Sequence, residues 1–482
     1  MPRRPWNRRE FLRNVGAGTV AAAVCADRRL VAAGEPLPDA PRLKYSTQRF
    51  VYLDVDESCD VRLNNGATRR LMLKSVVEQR DSVVGLLRRA DVALEIDGQP
   101  LLLVCEPYRM PTQRQGVRIQ ADTTSGWAKI PKRVQFSVWD ASDPIVDTDR
   151  FAFPLPGYRL FSQGTQGYNE PVHLGHRDGD PDGQRFHHDY GFDLAGFEGK
   201  DAVASCVDGT VLVADAAEGT LAIEDDRGLV VEYGHLDAIE PHLRTGTKVA
   251  RGQGVGILGR KGGSGNFSHL HVGLCLSRED LRAGRPCRTI NLFPWLVEAY
   301  RRAAGMKLSA VARPHQAVRT GEVVRFDGTR SLAFGSPVTS YRWEFSEGPP
   351  LSGPRAEKVF DTPGTYSAAL WVEDGLGLRD VDFATVRVYS RQKAEGIMPT
   401  LFLTYTPSGK VRVDQPVFFR LWPQGRQVGA IRIDLGDGRV VDPYEPFTTF
   451  SHRYKTRGIH VVTATASAGG LNVTQKAKVV VD

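Results

Sequence analysis

The hydrophobic pattern along this chain has a period of two, not of 3.6. From residue 44 to 152, short runs of alternating apolar and polar positions are separated by turn residues, as in Val92–Ile96, Asp97-Gly98 and Leu101–Cys105. Asp-Gly between two alternating runs signals a β-hairpin, since these residues accept the positive φ that a tight two-residue turn needs. Beyond Phe153 the runs shorten and glycine punctuates them: Val207-Asp208-Gly209-Thr210-Val211, Gly246–Gly252 and Gly254–Gly259. Pro294–Ala304 predicts a short helix that closes this unit. From there on a repeat of about 85 residues recurs, with alternating strands and Gly-containing turns in both copies. The pattern therefore predicts a mostly β, multidomain chain.

Length agrees, since 482 residues correspond to about three or four domains. No apolar run approaches the roughly 18 residues of a membrane span, so the chain is expected not to span a membrane. The formal charge of +7 is concentrated at one end. Residues 1–33 hold seven arginines against Glu10 and Asp27, and without that surplus of five only +2 remains. So small a total gives no reason to expect nucleic acid as a partner.

Asn7-Arg8-Arg9-Glu10-Phe11-Leu12-Arg13, followed by a Gly/Ala-rich stretch from Val15 to Ala26, resembles the twin-arginine export signal of bacteria. A charged segment precedes an apolar one too short to cross a bilayer. The resemblance implies export and a periplasmic, cell-surface or secreted location, with cleavage after Ala26 or Ala33. Cys25 is a poor lipid-anchor site, because Val24 stands where a small residue is used. Five cysteines remain after the leader: Cys59, Cys105, Cys206, Cys275 and Cys287. An odd count leaves at least one thiol unbridged in an oxidising compartment, and the absence of CxxC argues against a thiolate zinc cluster.

Eight of the eleven histidines lie between 173 and 271. In Phe267-Ser268-His269-Leu270-His271-Val272-Gly273-Leu274, histidines alternate with apolar residues, so on a strand both imidazoles share one face about 6.6 Å apart. Such a pair needs partners for its N–H groups and lone pairs. Two further clusters precede it, His187-His188-Asp189-Tyr190-Gly191-Phe192-Asp193-Leu194 and Val231-Glu232-Tyr233-Gly234-His235-Leu236. Each alone reads as an ordinary turn or surface strand. His173 and His176 read as surface loop residues, His242 as weakly placed, and Cys275 as core, since it lies about 13 Å along the strand from His271.

In this order, and with Val249-Ala250-Arg251-Gly252-Gln253-Gly254-Val255-Gly256 and Gly259 between them, the clusters resemble the lysostaphin/LytM-type zinc endopeptidases. The likeness covers about a third of the chain, from 155 to 300. It implies an antiparallel-β metallopeptidase domain holding one zinc ion, with His271 and Asp193 as ligands and His235 and His269 as catalytic residues. Three protein ligands with one open position is how a catalytic zinc is held. Bound there, it would lower the pKa of water toward 7, and the two catalytic histidines would move its proton and support the developing oxyanion. The first ligand breaks the pattern. The family spacing of four residues back from Asp193 meets Asp189, not a histidine. On a regular strand His187 shares a face with Asp193, while a one-residue bulge at Gly191 would restore His188. His188 is favoured, then His187, then Asp189.

The C-terminal repeats resemble polycystic-kidney-disease (PKD) domains, immunoglobulin-like β-sandwiches. The first copy carries Tyr341-Arg342-Trp343-Glu344-Phe345 and Pro363-Gly364-Thr365-Tyr366; the second carries Ile433-Asp434-Leu435-Gly436-Asp437-Gly438 and His452-Arg453-Tyr454. His452 is expected to be structural, and Asp434 and Asp437 to form turns. The expected organisation is an export signal at 1–33, an accessory β-domain at 34–152, the metallopeptidase domain at 153–303, and PKD-like repeats at 304–391 and 392–482. The expected function is an exported zinc endopeptidase that cleaves peptide bonds of peptidoglycan, with the repeats binding wall, carbohydrate or protein. A catalytically silent wall-binding protein and a secreted protease acting on proteins are the alternatives.

Overall fold

The computed structural model describes residues 48–176, 184–188, 190–265, 267–283, 290–391, 398–425 and 427–482, with the backbone alone at 172–176, 184–188, 280 and 282–283. The export-type leader, Asp189 and Cys287 lie outside the described residues.

Two four-stranded antiparallel sheets open the fold. One has the order Arg49–Leu53, Val134–Asp140, Val117–Thr124, Thr112–Arg114; the other runs Ser58–Arg62, Thr68–Arg80, Leu87–Ile96, Gln99–Cys105. The predicted hairpin is present, with Asp97 and Gly98 at φ 50° and 76°. Alternation sends Ala90, Val92, Leu94 and Ile96 inward, onto a core that includes Leu71, Val117 and Phe136.

The glycine-punctuated region forms a seven-stranded antiparallel sheet. Its order is Lys248–Val249, Gly209–Asp215, Thr220–Asp225, Val230–Gly234, His269–Cys275, Phe192–Ala195, Thr165–Gln166. Ala202–Ala204, Gly254–Leu258 and Leu236–Ile239 make a smaller sheet beside it. The chain passes from the large sheet to the small one at His235, between Gly234 and Leu236. The helix Phe293–Ala304 starts with Pro294 in its first turn and stops at Gly305, whose φ of 66° closes the C-terminus. It buries Trp295, Leu296 and Val297 against Leu270, Val272 and Leu274 of the central strand in one continuous core. Cys275 is buried in a satellite cluster with Val213, Ala222, Val230 and Leu281.

The two C-terminal repeats are joined edge to edge. Gly364–Asp374 of the first runs parallel to Leu471–Val481 of the second, with Gly364 opposite Asn472 and Thr365 opposite Val473, so one nine-stranded sheet spans both. A Cβ at Gly364 would come within 2.9 Å of the Asn472 carbonyl oxygen, so the junction has no room for a side chain there. Trp343 is fully buried in the first repeat's core. In the second, His452 Nε2 lies 2.7 Å from Asp437, and the Asp434 carboxylate accepts from the Gly436 N–H at 2.8 Å. These are turn and strand contacts.

Sequence periodicity gave the wrong local structure in two places. His173 and His176 lie on the strand Pro171–His176, paired with Gln184–His188, and not in a loop. Nor do residues 187–193 form one strand with a bulge. Gln184–His188 belongs to a two-stranded sheet and Phe192–Ala195 to the seven-stranded one, with a bend at Tyr190 and Gly191 between them. Face-sharing along a regular strand therefore does not choose among His187, His188 and Asp189.

Candidate active site

The site is built on the central strand His269–Cys275. Leu270, Val272 and Leu274 point into the core, so the period-two alternation turns His269 and His271 to the opposite face. Antiparallel pairing with Phe192–Ala195 sets Asp193 opposite His271 and Ala195 opposite His269. On the other side Gly234 faces His271, and a Cβ there would lie 3.1 Å from the His271 Cβ. At Gly191 a Cβ would fall 2.6 Å from His271 Cε1 and 2.5 Å from the Val272 carbonyl oxygen. Two glycines thus let backbone close around one imidazole.

Asp193, His269 and His271 are 4 %, 4 % and 8 % exposed. Asp193 Oδ1 lies 2.8 Å from His271 Nδ1, and Asp193 Oδ2 lies 3.5 Å from His269 Nε2. The ring of His235 sits 4.5 Å from that of His269 and 6.2 Å from that of His271, between centroids. Four of the five residues singled out in the sequence thus converge. His188 enters only through its backbone, paired with Pro171.

Hydrogen bonds fix the tautomers of two rings. His235 Nδ1 lies 2.7 Å from the Lys261 carbonyl oxygen and His269 Nδ1 2.8 Å from that of Phe267. A carbonyl only accepts, so each Nδ1 carries the proton and each neutral ring offers its Nε2 lone pair to the site. His235 does this from a left-handed backbone, φ 66°, a conformation rare outside glycine and held here by its neighbours. The Leu236 N–H donates to Gly219 O at 2.9 Å just beyond it.

Burial pushes the His235 pKa down to about 3, with the His269 and His271 rings adding to the effect. Burial lowers His269 as well, against the opposing pull of the Asp193 carboxylate. Burial alone would raise Asp193, but the His269 ring, charged in the acid range where a carboxyl titrates, and the His271 hydrogen bond outweigh it and hold the carboxyl well below its ordinary value. Near neutral pH the site therefore contains an ionised carboxylate facing His235 and His269 as neutral bases.

Whether these residues suit a zinc ion can be judged from the donors. Two ligands on one tetrahedral zinc, each at ~2.0–2.1 Å, stand about 3.3 Å apart. Asp193 Oδ1 and His271 Nδ1 need move only slightly from hydrogen-bond distance to reach that separation. Buried carboxylate plus imidazole is also a donor pair that zinc favours. Among the described residues no three His, Cys, Asp or Glu side chains are grouped to hold a metal by themselves. The pair thus fits two positions of a three-ligand site.

Several contributors had little or no signature in the sequence. The Lys261 and Phe267 carbonyls are main-chain groups that every residue carries. The Phe267 ring stacks on His269 at 4.8 Å and 19°, and Tyr190 meets His271 edge-on at 5.1 Å. A signal for Phe267 was present, since i and i+2 share a face on extended chain.

No curated protein matches the chain. Among solved structures it is similar to the catalytic domain of the prophage-encoded M23 protein EnpA from Enterococcus faecalis, at 24% identity over 29% of this chain and 94% of that one, TM-score 0.20. It is also similar to a zinc-containing peptidase from Vibrio cholerae, at 16% identity over 47% and 85%, TM-score 0.22. A PKD domain solved in solution matches at 23% identity over 18% and 92%, TM-score 0.16. Family matches carry the assignment: residues 187–282 match peptidase family M23 and residues 309–388 match the PKD domain. This chain therefore contains a LytM-type domain of peptidase family M23, followed by a PKD domain.

Proposed function

We propose that this protein is an exported, zinc-dependent endopeptidase that hydrolyses peptide bonds in peptidoglycan. The observation that carries the reading is the facing pair Asp193 Oδ1 and His271 Nδ1, overlooked by the Nε2 atoms of two neutral histidines. His188, Asp193 and His271 would hold one zinc ion. That ion would supply Lewis-acid charge, making water more acidic and polarising the scissile carbonyl.

The protein's own residues then divide the work. His269 Nε2 takes the proton of the attacking water, because the Asp193 carboxylate 3.5 Å away supports the imidazolium that forms. His235 Nε2 accepts a hydrogen bond from the same water and orients it, its ring fixed by the Lys261 carbonyl. The proton on His269 passes to the leaving amine, returning the ring to its starting state. Peptidoglycan as the substrate and export through the N-terminal leader follow from the resemblance of those segments.

The test is metal analysis of the purified chain together with digestion of peptidoglycan. Zinc near one equivalent, new amino termini released from wall fragments, and loss of that release in His269→Ala are expected. A zinc-free chain, or His269→Ala with full activity, overturns the proposal. Cleavage of unfolded protein in preference to wall fragments would overturn the substrate alone.

A further inference from the structure

Residues 260–265 and Phe267 hold both candidate catalytic histidines: Lys261 O accepts from His235, Phe267 O accepts from His269, and the Phe267 ring covers His269. Among them, Ser264 Oγ donates to Arg260 O at 2.7 Å and the Phe267 N–H to Ser264 O at 3.2 Å. Lys261 Nζ also donates to Ala216 O at 2.9 Å and Arg260 pairs with Glu198 at 3.0 Å, and a further support comes from the second C-terminal repeat.

That support has a period of two. In the strand Pro416–Gln424, Val417, Phe419 and Leu421 are fully buried in the repeat's own core. The alternate residues face the catalytic domain. Lys200 lies over Phe418 at 5.8 Å, and Arg420 lies over Phe197 at 5.0 Å. Arg420 also pairs with Glu198 at 3.5 Å, and Glu198 pairs with Arg260 at 3.0 Å. Trp422 packs with Ala195 and Phe267, and Gln424 Nε2 donates to Gly265 O at 2.6 Å. The cross-strand partner of Trp422 is Phe402, whose ring stacks on Phe267 at 4.5 Å and 30°. Trp422, Phe402, Phe267 and His269 thus form a row of four rings that begins in the repeat and ends on an active-site imidazole. The strand Pro416–Gln424 is thus covered on one side by the repeat's own core and partly covered on the other by the catalytic domain, unlike the exposed outer face of a tethered binding module.

We propose that the second C-terminal repeat is part of the catalytic apparatus, with Phe402 and Gln424 as positioning residues that hold Phe267 and Gly265 and through them orient His269 and His235. The inference rests on the hydrolytic reading of the site. It also makes a statement about ring orientation that holds whether or not the chain cleaves anything.

The experiment uses the full chain with Phe402→Ala, Phe402→Tyr and Gln424→Ala. With soluble peptidoglycan fragments as substrate, Phe402→Ala is expected to lower kcat about tenfold to a hundredfold, as misplacing a reacting group by about an ångström does. KM should stay within about twofold and zinc content unchanged, and Phe402→Tyr, which keeps the stacked ring, should recover the rate. Gln424→Ala, a milder change that leaves the apolar packing in place, should lower kcat in the same sense. In the metal-free chain, imidazole nitrogen NMR should show the Nδ1–H signals of His235 and His269 sharp in the unsubstituted protein and broadened in both alanine variants. Rates within about twofold of the unsubstituted protein and unchanged imidazole signals overturn the proposal. If the unsubstituted chain cleaves nothing, the hydrolytic reading fails, and the imidazole signals alone decide whether the repeat orients the rings.

Discussion

Asp193 and His271 face each other across two antiparallel strands, Oδ1 to Nδ1 at 2.8 Å, although 78 residues separate them in the chain. Strand register sets this relationship. Asp193→Asn keeps the shape and removes the anionic donor. It is expected to lower zinc affinity by at least tenfold to a hundredfold, the loss seen when even an indirect partner of a metal ligand is removed. Equilibrium dialysis against a zinc chelator measures it, and an unchanged affinity would exclude Asp193 from the metal site.

Gly191 leaves no room for a side chain beside His271. In Gly191→Ala the new methyl would sit 2.6 Å from Cε1 of the ring, against backbone on its other side. Overpacking of this kind costs about 1–3 kcal/mol. Urea unfolding should show that loss, and cleavage should fall with it because the imidazole must turn or shift. Full activity together with unchanged stability would contradict the packing described.

Arg313 is buried at the junction of three parts of the chain. It donates to the Thr165 and Gln163 carbonyls at 2.8 and 2.7 Å and pairs with Asp382 at 3.2 Å. Thr165–Gln166 is the edge strand next to Asp193, so this arginine reaches the seven-stranded sheet from the first repeat. Replacing it with methionine leaves Asp382 buried with one fewer cation, a change of about 3–5 kcal/mol. Denaturant midpoints of the two proteins give the value directly.

Asp122 ties stability to pH. Burial raises its carboxyl from the ordinary 3.8 to about 7, against the lowering effect of hydrogen bonds from Ser137 and Gln135. Between those two values the folded chain keeps a proton that the unfolded chain has released, so stability falls as pH rises. The contribution is complete below about pH 4 and lost above about pH 7. At about 1.4 kcal/mol per unit, the loss is bounded at about 4 kcal/mol. Asp122→Asn mimics the neutral acid. Its stability relative to the unsubstituted chain should therefore increase from pH 4 to pH 8, measured by urea unfolding at each pH, and a constant difference would refute the titration.

How much of this was visible in the sequence depended on distance along the chain. The alternation at 269–271 shows that both imidazoles share a face, and the Asp97-Gly98 turn announces its hairpin, because both are rules about neighbouring residues. The break at Tyr190–Gly191 is not legible, with or without a bulge, because periodicity cannot tell one bent strand from two strands in different sheets. The carbonyls of Lys261 and Phe267 carry no residue code at all. Phe402 and Arg313 matter through contacts with residues more than a hundred positions away, and nothing in their local pattern distinguishes them from ordinary strand residues. The shared sheet of the repeats likewise depends on Gly364, a position legible only as part of a turn-and-strand motif.

The row of rings ending on His269 also has an order in time. A ribosome completes the segment from Asp193 to His271 more than a hundred residues before it reaches Phe402 and Gln424. During that interval the nascent chain holds its acid and imidazole groups without the repeat's support behind them. Late assembly of that support would act as a built-in delay, keeping the proposed hydrolytic site slack until much of the downstream chain has been made.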